Sequence, residues 1–215
     1  MVIAIDGPAG AGKGTIAKMV ADRLNLVYID TGAMYRCIAL EAIRENIVDD
    51  KQKIIEMCKR INIKLNEDGK TFLNGEDVSE EIRSKEVTSV VSPISSIVPV
   101  REEMVGIQRG IAEGFNVIME GRDITTVVFP NADFKFYLDA SVEERTRRRV
   151  EQNKEKGIFS DYEDIKQSII DRDYNDMHKE VGALKRTNEQ IYINSTNMKK
   201  EEVVDFIIKR VGEVK

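Results

Sequence analysis

A glycine-rich segment between a short apolar run and a helical pattern constrains this chain more than any other feature. Residues 2–6 (VIAID) are apolar except at the last position, which is typical of a buried parallel strand. Residues 14–24 carry apolar side chains at helical spacing, so a helix follows. Between them, residues 7–15 read GPAGAGKGT. A strand, a glycine-rich turn and a helix in this order predict a loop that binds phosphate.

The glycines of this loop let the backbone turn tightly and direct successive N–H groups at phosphate oxygens, while the helix N-terminus adds its dipole. Lys13, which we expect to be exposed in the loop, would contact the β- and γ-phosphates. The usual pattern places Ser or Thr directly after the lysine. Because Gly14 intervenes here, Thr15 is the expected hydroxyl toward phosphate or Mg²⁺. The predicted ATP-binding residues of the loop are Gly7, Pro8, Ala9, Gly10, Ala11, Gly12, Lys13, Gly14 and Thr15.

The rest of the chain alternates short apolar runs with helical patterns. Further strands are predicted at residues 27–30, 117–120, 134–138 and 191–194, and further helices at 32–45, from near 161, and at 199–213. Apolar strands that are separated by helices form a parallel sheet with helices on both faces. The predicted fold class is therefore α/β, a three-layer αβα core with a five-stranded parallel sheet.

Residues 61–78 break this rhythm, because apolar and polar side chains alternate there with a period of two. The dipeptides Asp68-Gly69 and Asn74-Gly75 are typical of hairpin turns. We therefore expect a small antiparallel meander inserted in the α/β core.

Composition narrows the class of ligand. The net charge is −5 and no basic stripe is present, which argues against nucleic acid as a partner. No apolar run approaches the roughly 18 residues that span a bilayer, and the first residues lack the pattern of a signal peptide. Cys37, Cys58 and the single histidine, His178, offer neither a disulfide framework nor a metal-ligand spacing. We expect a cytoplasmic protein that binds no membrane, binds a small anion and has no protein-bound transition metal.

Two polar segments follow predicted strands at the end where open α/β sheets bind ligands. They are residues 30–36 (DTGAMYR) and 120–123 (EGRD). A phosphoryl-transfer site needs fixed positive charge around the phosphates, so arginines are expected there. The candidates are Arg36, Arg101 and Arg122 on the acceptor side and Arg172 near the transferring group. Arg101 and Arg172 have acidic neighbours, and solvated ion pairs are an equally good interpretation of these two residues.

The segment 143–149 (EERTRRR) is dense in charge. Glu143–Arg147 and Glu144–Arg148 have i,i+4 spacing, so a salt-bridged helix face accounts for part of it. Four arginines in five positions exceed what that face needs. We interpret the segment as a mobile lid that brings one or two of these arginines onto ATP. The pattern does not decide which of them does so, and Arg148 is one candidate.

Five motifs occur in order along the chain: IDGPAGAGKGT, IDTGAMYR, GEDVSEEIR, EGRDITTVVFPNADFKFYLDAS and EERTRRR. Together they resemble bacterial cytidylate kinases (CMP/dCMP kinases), which are P-loop nucleoside monophosphate kinases. The match covers essentially the whole chain, whereas adenylate kinases share the phosphate loop but lack the GEDVSEEIR and EGRD segments. The resemblance implies a P-loop core at 1–33, 86–142 and 160–215, a monophosphate-binding region with the meander at 34–85, and a helical lid at 143–159.

The resemblance also implies a reaction, in which a monomer transfers a phosphoryl group in line from Mg-ATP to CMP or dCMP and yields ADP and CDP or dCDP. The implied catalytic residues are Lys13, Arg122 and Arg172. The implied CMP-binding residues are Asp30, Thr31, Tyr35, Arg36, Ser92, Arg101, Arg122, Asp123, Arg172 and Asp176. Ser92, which sequence alone indicates as a helix-end cap, would read the cytosine together with Arg101 and Asp123. Mg²⁺ would arrive with ATP and be held through Thr15 or Glu120.

Four positions depart from the usual family pattern. Met177 and Lys179 stand where the family often has Ser and Arg, Thr125 replaces a usual Gly, and Asn194 replaces a usual Asp. Lys in place of Arg gives up a planar, bidentate contact with phosphate.

Two other functions stay open on the residues alone. One is a kinase for another small acceptor, such as UMP or a non-nucleotide alcohol. The other is a nucleotide-dependent switch or binding module that hydrolyses its nucleotide slowly and signals to a partner. A switch needs a loop that senses the γ-phosphate and a residue that positions water, but it needs no second arginine cluster that faces a second anion.

Overall fold

The structure is a computed structural model that describes residues 1–66, 69–155 and 157–213. The chain forms two compact units, one comprising Met1–Leu26 with Val117–Lys215 and the other Val27–Asn116. The strands are β1 (Val2–Asp6), β2 (Val27–Asp30), β3 (Ile63–Leu65), β4 (Thr71–Leu73), β5 (Glu76–Asp77), β6 (Val117–Gly121), β7 (Phe134–Asp139) and β8 (Ile191–Asn194). The helices are α1 (Lys13–Leu24), α2 (Thr31–Arg44), α3 (Lys51–Cys58), α4 (Lys85–Ile94), α5 (Val98–Ala112), α6 (Val142–Glu155), α7 (Tyr162–Met177) and α8 (Lys200–Gly212).

In the first unit, β1 lies between β6 and β7 and runs parallel to both, and β8 runs parallel to β7. Asp6, the last residue of β1, is level with Gly121 on one side and Tyr137 on the other. The segments that follow these three strands therefore start from the same edge of the sheet. Helix α1 packs against β6 and α8, and α6 packs against α7.

In the second unit, the side chain of Asp30 accepts a hydrogen bond from the backbone N–H of Ala33 at 2.8 Å and so caps α2. Strands β3, β4 and β5 form a three-stranded antiparallel sheet. Asn74 and Gly75 have φ values of 52° and 91°, as a two-residue hairpin turn requires. Asp68 of the other predicted turn lies outside the described residues. The apolar interior of this unit includes both cysteines, which carry free thiols.

The predicted fold class is confirmed, since five parallel strands form the main sheet and a separate antiparallel meander of three strands is present. The predicted strands end within one residue of the observed ones. The division into core, monophosphate-binding region and lid stays a prediction, and Lys156 of the predicted lid lies outside the described residues. None of the described helices is long and apolar enough to cross a membrane.

The sequence pattern does not predict α3, α4 and α5. Two prolines obscure the last two of these helices. Pro93 lies one residue before the end of α4, and Pro99 lies in the first turn of α5. Proline is tolerated at helix ends, but in a sequence it is typical of a break.

Candidate active site

Residues 7–12 connect β1 to α1, and residues 13–15 of the predicted loop form the first turn of that helix. Gly7, Gly10 and Gly12 have φ values of 155°, 77° and 89°. A Cβ atom on Gly7 would lie 2.0 Å from the backbone oxygen of Leu138, so only glycine fits where the loop passes β7. Helix α1 begins at Lys13, and the loop therefore ends at a helix N-terminus, where N–H groups and the dipole favour an anion.

Three cations bind backbone carbonyl groups of this loop. The pairs are Lys13 Nζ with Pro8 O at 2.9 Å, Arg145 Nη1 with Ala9 O at 2.9 Å, and Arg148 Nη1 with Ala11 O at 3.4 Å. In a planar trans peptide, the N–H that follows a carbonyl points the opposite way. The N–H groups of Gly10 and Gly12, which follow the carbonyls of Ala9 and Ala11, therefore point away from the arginines, which is the orientation that anion binding needs. The N–H that follows the Pro8 carbonyl, that of Ala9, donates instead to Asp173 Oδ1 at 3.3 Å.

Lys13 is buried, with 5% of its surface exposed, and the expectation of an exposed lysine is wrong. The reason is that α1 packs on β6 and places the first residue of the helix beneath the loop. The Nζ atom lies 3.9 Å from the carboxylate of Glu120. Burial, together with the positive charges of Arg122 and Arg172, lowers the pKa of Lys13 to about 7. A bound phosphate would counteract both effects and favour the charged lysine.

Asp176 binds two cations, and we call Arg122, Asp176 and Lys179 the α7 cluster. Arg122 Nε donates to Asp176 Oδ2 at 2.7 Å, and Lys179 Nζ lies 3.1 Å from Asp176 Oδ1. Burial raises the pKa of Asp176, but the positive charges of Arg122 and Lys179 outweigh it and bring the pKa to about 2. Arg172, one turn earlier on α7, adds to this positive potential. With two cations on one carboxylate, the cluster has a net positive charge.

Asp123 follows β6 and is 5% exposed. Its backbone carbonyl accepts the hydrogen bonds of the π-helical turn Ile124–Val128, from the N–H groups of Val127 and Val128. The carboxylate makes no capping hydrogen bond to this turn. Backbone hydrogen bonds and the carboxylate of Asp6 hold this turn, and the Asp123 carboxylate does not serve as its cap.

Thr125, one of the departures from the family pattern, joins a buried hydrogen-bond network. The carboxylate of Asp6 accepts from the N–H of Ile124 at 2.7 Å, from the N–H of Thr125 at 3.0 Å and from Thr125 Oγ1 at 2.5 Å. Gln190 Nε2 in turn donates to Thr125 Oγ1 at 2.5 Å. Because Asp6 ends β1 and the turn follows Asp123, this network fixes the start of the phosphate loop relative to the turn.

The charged segment at the start of α6 is only partly the salt-bridged face that its spacing predicts. The pair Glu144–Arg148 is confirmed at 2.8 Å. The predicted pair Glu143–Arg147 is wrong, because Arg147 binds Glu144 at 2.8 Å and Glu151 at 3.1 Å. Arg147 is an exposed residue, so these contacts are of the solvated kind.

Thr15 and Glu120, the two oxygen donors predicted for Mg²⁺, lie in the first turn of α1 and near the end of β6. Thr15 is exposed, and the side chain of Glu120 is 13% exposed beside Lys13. No group of three His, Cys, Asp or Glu side chains that could hold a metal ion occurs within the described ranges.

Asp30 of the second unit also binds two cations, and we call Asp30, Arg36 and Arg83 the β2 cluster. Arg36 Nη2 and Arg83 Nη2 lie 3.3 Å and 3.8 Å from Asp30 Oδ2. The Nε atom of Arg36 is buried and has no hydrogen-bond acceptor among the described residues. A buried donor without a partner is costly, and an anion would satisfy it. Thr31, at the start of α2, is buried.

Arg101 is 4% exposed, so the interpretation as a solvated ion pair is wrong for this residue. Its guanidinium lies over the ring of Tyr35, 5.5 Å from the centroid, and Nη1 donates to the carbonyl of Ser95 at 3.1 Å. Ser92 lies within α4, and its carbonyl accepts hydrogen bonds from the hydroxyls of Ser95 and Ser96. The C-cap of α4 is Ser95 rather than Ser92.

Each unit thus brings a part of the predicted site together. Sequence reasoning did not single out Arg83, Asp173 and Gln190, which contact Asp30, the phosphate loop and Thr125. A signal existed for two of them. Arg83 is the last residue of the motif GEDVSEEIR, and Asp173 follows the predicted Arg172. Gln190 stands directly before β8, and no motif marks it.

Comparison with known proteins agrees with the family resemblance of the sequence motifs. The family model described as cytidylate kinase matches residues 3–213. A cytidylate kinase from Caldanaerobacter subterraneus subsp. tengcongensis is 49% identical over 210 residues, which cover 97% of this chain and 93% of the relative. One from Bacillus subtilis is 46% identical over 215 residues, with coverage of 98% and 96%.

Among solved structures, an uncharacterized protein from Eubacterium ventriosum has a TM-score of 0.57 at 12% identity and covers 99% of this chain, with 98% of its own chain matched. This likeness concerns the fold alone. The family model matches nearly the whole of this chain, and the matches to the relatives cover nearly the whole of both proteins. The chain therefore belongs to the cytidylate kinase family.

Proposed function

We propose that this member of the cytidylate kinase family transfers the terminal phosphoryl group of ATP in line to CMP and dCMP and releases ADP and CDP or dCDP. The observation that carries the proposal is the arrangement around the phosphate loop in the first unit. Cations hold the loop carbonyls, and Lys13 and the α7 cluster add net positive charge. Such preorganised charge lowers the barrier of a reaction that spreads negative charge over phosphoryl oxygens.

The donor nucleotide is assigned to the loop of residues 7–15 and to Arg148. Arg148 is held by Ser195, whose carbonyl accepts from Nη2 at 2.7 Å, and by Ala11. Lys13 neutralises charge on the β- and γ-phosphates. Arg122 and Arg172 stabilise the transferring group together with Lys13, and these three are the proposed catalytic residues. Mg²⁺ would be held by Thr15 or Glu120, directly or through water, and would supply further charge neutralisation on the phosphates.

The acceptor nucleotide is assigned to the residues that the family resemblance implies. Arg36 suits the monophosphate, because its buried Nε lacks an acceptor within the described part of the chain. Asp123, Arg101 and Ser92 are assigned to the cytosine. The remaining residues proposed to bind CMP are Asp30, Thr31, Tyr35, Arg122, Arg172 and Asp176.

Asp123 is proposed to select the base. Cytosine has an exocyclic amino group where uracil has a carbonyl oxygen, and an ionised carboxylate accepts a hydrogen bond from the former only. Sites that hydrogen-bond one particular group can reject analogues without it by roughly 10⁴-fold. Asp123→Ala should therefore reduce kcat/KM for CMP far more than for UMP. An unchanged ratio of the two kcat/KM values would remove Asp123 from base recognition.

A coupled assay of ATP consumption tests the proposed reaction directly. CMP and dCMP are expected to stimulate ADP formation strongly, and UMP and AMP much less. A preference for UMP would indicate a kinase for another acceptor. ADP formation at the same rate with and without every monophosphate would indicate a switch, and either result would overturn the proposal.

A further inference from the structure

Asp173 and Arg145 form a buried ion pair against the phosphate loop. Asp173 Oδ2 accepts from Arg145 Nη1 at 2.6 Å, and the two residues are 8% and 4% exposed. Both also contact Ala9. Asp173 Oδ1 accepts from the N–H of Ala9 at 3.3 Å, and Arg145 Nη1 donates to the carbonyl of Ala9 at 2.9 Å. One ion pair therefore binds both backbone groups of a single loop residue.

The ion pair is itself held by two further elements. Arg145 Nε donates to the carbonyl of Ala140, directly after β7, at 2.9 Å. Asp173 lies on α7, the helix that also carries Arg172 and Asp176. The loop packs directly on Arg145, because a Cβ on Gly10 would lie 3.3 Å from Arg145 Cβ. Ala9 is thus held in place by contacts with α6 and α7 and, through Arg145, with the end of β7.

These contacts orient the peptide groups of the loop. With the Ala9 carbonyl held toward Arg145, the N–H of Gly10 must point the opposite way, because the peptide is planar and trans. The Ala9 N–H is likewise committed to Asp173. An apolar pair of similar volume could pack these helices equally well or better. It could not hold an N–H and a carbonyl of the same residue.

We propose that Asp173 and Arg145 are positioning residues that set the loop for the phosphates of ATP through the two backbone groups of Ala9. The inference rests on the proposed function, in which this loop binds ATP. Neither residue touches the nucleotide in this role. Their loss should therefore weaken ATP binding while CMP binding stays nearly the same.

The test uses two variants that break the two halves of the arrangement. Asp173→Asn keeps an oxygen for the Ala9 N–H but removes the charge that holds Arg145. Arg145→Lys keeps the charge but cannot bridge Asp173, Ala140 and Ala9 with one planar group. We expect KM for ATP to rise roughly tenfold in each variant, the effect of losing one hydrogen bond to a charged group. KM for CMP should change less than twofold.

Exposed charges elsewhere in the first unit give matched controls. Asp171→Asn removes an exposed carboxylate that binds Gln167, and Arg23→Lys changes an exposed arginine of α1 that binds Asp205. Both should leave both KM values unchanged. If Asp173→Asn does not fold, Arg145→Lys decides the question by the same criteria.

The outcomes separate cleanly. A rise in KM for ATP alone supports the proposal. Equal rises for both substrates, or a lower Tm with both KM values unchanged, would show that the pair only stabilises the fold and would overturn it. If a Lys13 variant loses all activity but Asp173→Asn and Arg145→Lys keep the wild-type KM for ATP, only the positioning role of the ion pair is rejected. Full activity without Lys13 would instead reject the proposed ATP site.

Discussion

The α7 cluster of the first unit and the β2 cluster of the second unit share one composition, a carboxylate that binds two cations. They differ in how tightly they are held. In the α7 cluster the contacts are 2.7 Å and 3.1 Å, and the Asp176 side chain is 5% exposed. In the β2 cluster they are 3.3 Å and 3.8 Å, and the Asp30 and Arg83 side chains are 17% and 49% exposed.

The difference shows that equal charge does not mean equal rigidity. A buried, closely hydrogen-bonded carboxylate fixes the direction of its cations, and removing it leaves buried charge without compensation. A more exposed carboxylate at longer distance orients its arginines weakly and contributes little to stability. The α7 cluster suits a charge that must be in place during transfer, whereas the β2 cluster leaves its arginines more freedom to adjust to an incoming anion.

The largest effect is expected where charge beside the α7 cluster is removed. Lys13→Met should lower kcat/KM for both substrates by roughly 10³-fold, the magnitude seen when one group that stabilises a transition-state charge is lost. Stability should not fall, because the buried lysine has its pKa lowered to about 7 and its charged form is disfavoured in the ligand-free protein. Steady-state kinetics and urea unfolding check both statements.

Lys18→Met, at an exposed position of the same helix, is the control and should change neither quantity. Near-normal turnover by a folded Lys13→Met protein would mean that the first unit does not supply the charge for transfer. The comparison of the two clusters would then have no bearing on catalysis.

The next largest effect is a difference in the free energy of unfolding between variants of Asp176 and of Asp30. Asp176→Asn should reduce the free energy of unfolding by about 3 kcal/mol, because it breaks a buried ion pair. Asp30→Asn should cost less than about 1 kcal/mol, since the pair is weaker and an Asn oxygen still caps α2. Urea unfolding without nucleotide measures both. Equal losses in the two variants would contradict the proposed difference in rigidity.

The stability of the protein at acid pH gives a second test of how tightly Asp176 is held by its cations. The pKa of Asp176 is about 2 in the folded protein, below the value of about 3.9 expected when unfolded. The unfolded chain therefore binds the proton first, and the stabilisation is present above pH 4 and is lost as the pH falls toward 2. Between pH 5 and pH 3 the wild type should lose about 1 kcal/mol more than Asp176→Asn. Parallel curves for the two proteins would show that Asp176 is not held by its cations.

The smallest effect concerns Lys179, the second cation of the α7 cluster. Lys179→Ala should lower kcat/KM for CMP by roughly threefold to fivefold, as expected for one partly solvated charge. Lys179→Arg should leave kcat/KM unchanged or raise it, because a guanidinium binds phosphate in a bidentate way. Identical kinetics in all three proteins would place Lys179 outside substrate binding.

The fold was predictable because its signals are local. The strand before the phosphate loop, the loop glycines and the amphipathic helix α1 are contiguous in sequence, and Asn74-Gly75 specifies its turn by itself. The sequence did not predict which polar side chains are buried. Lys13 stands in a glycine-rich segment and suggests a surface residue, but the packing of α1 on β6 buries it.

Contacts between distant segments were also out of reach. Asp173 lies 164 residues from Ala9, and its place beside Arg172 marks it as a candidate without indicating a contact with the phosphate loop. Arg101 lies among acidic neighbours in sequence, yet the fold surrounds it with Tyr35 and the Ser95 carbonyl instead. Long-range partners of this kind depend on the register of whole elements, which motifs do not encode.

The burial of both thiols in the second unit has a practical consequence. Burial raises the pKa of Cys37 to about 12 and that of Cys58 to about 11. Alkylating and oxidising reagents attack the thiolate, which is scarce at neutral pH in such an environment. The folded protein should therefore resist iodoacetamide and peroxide without any reducing agent. Labelling of Cys37 or Cys58 then occurs only when the second unit opens, and mass spectrometry of the two peptides can time that opening separately at each position.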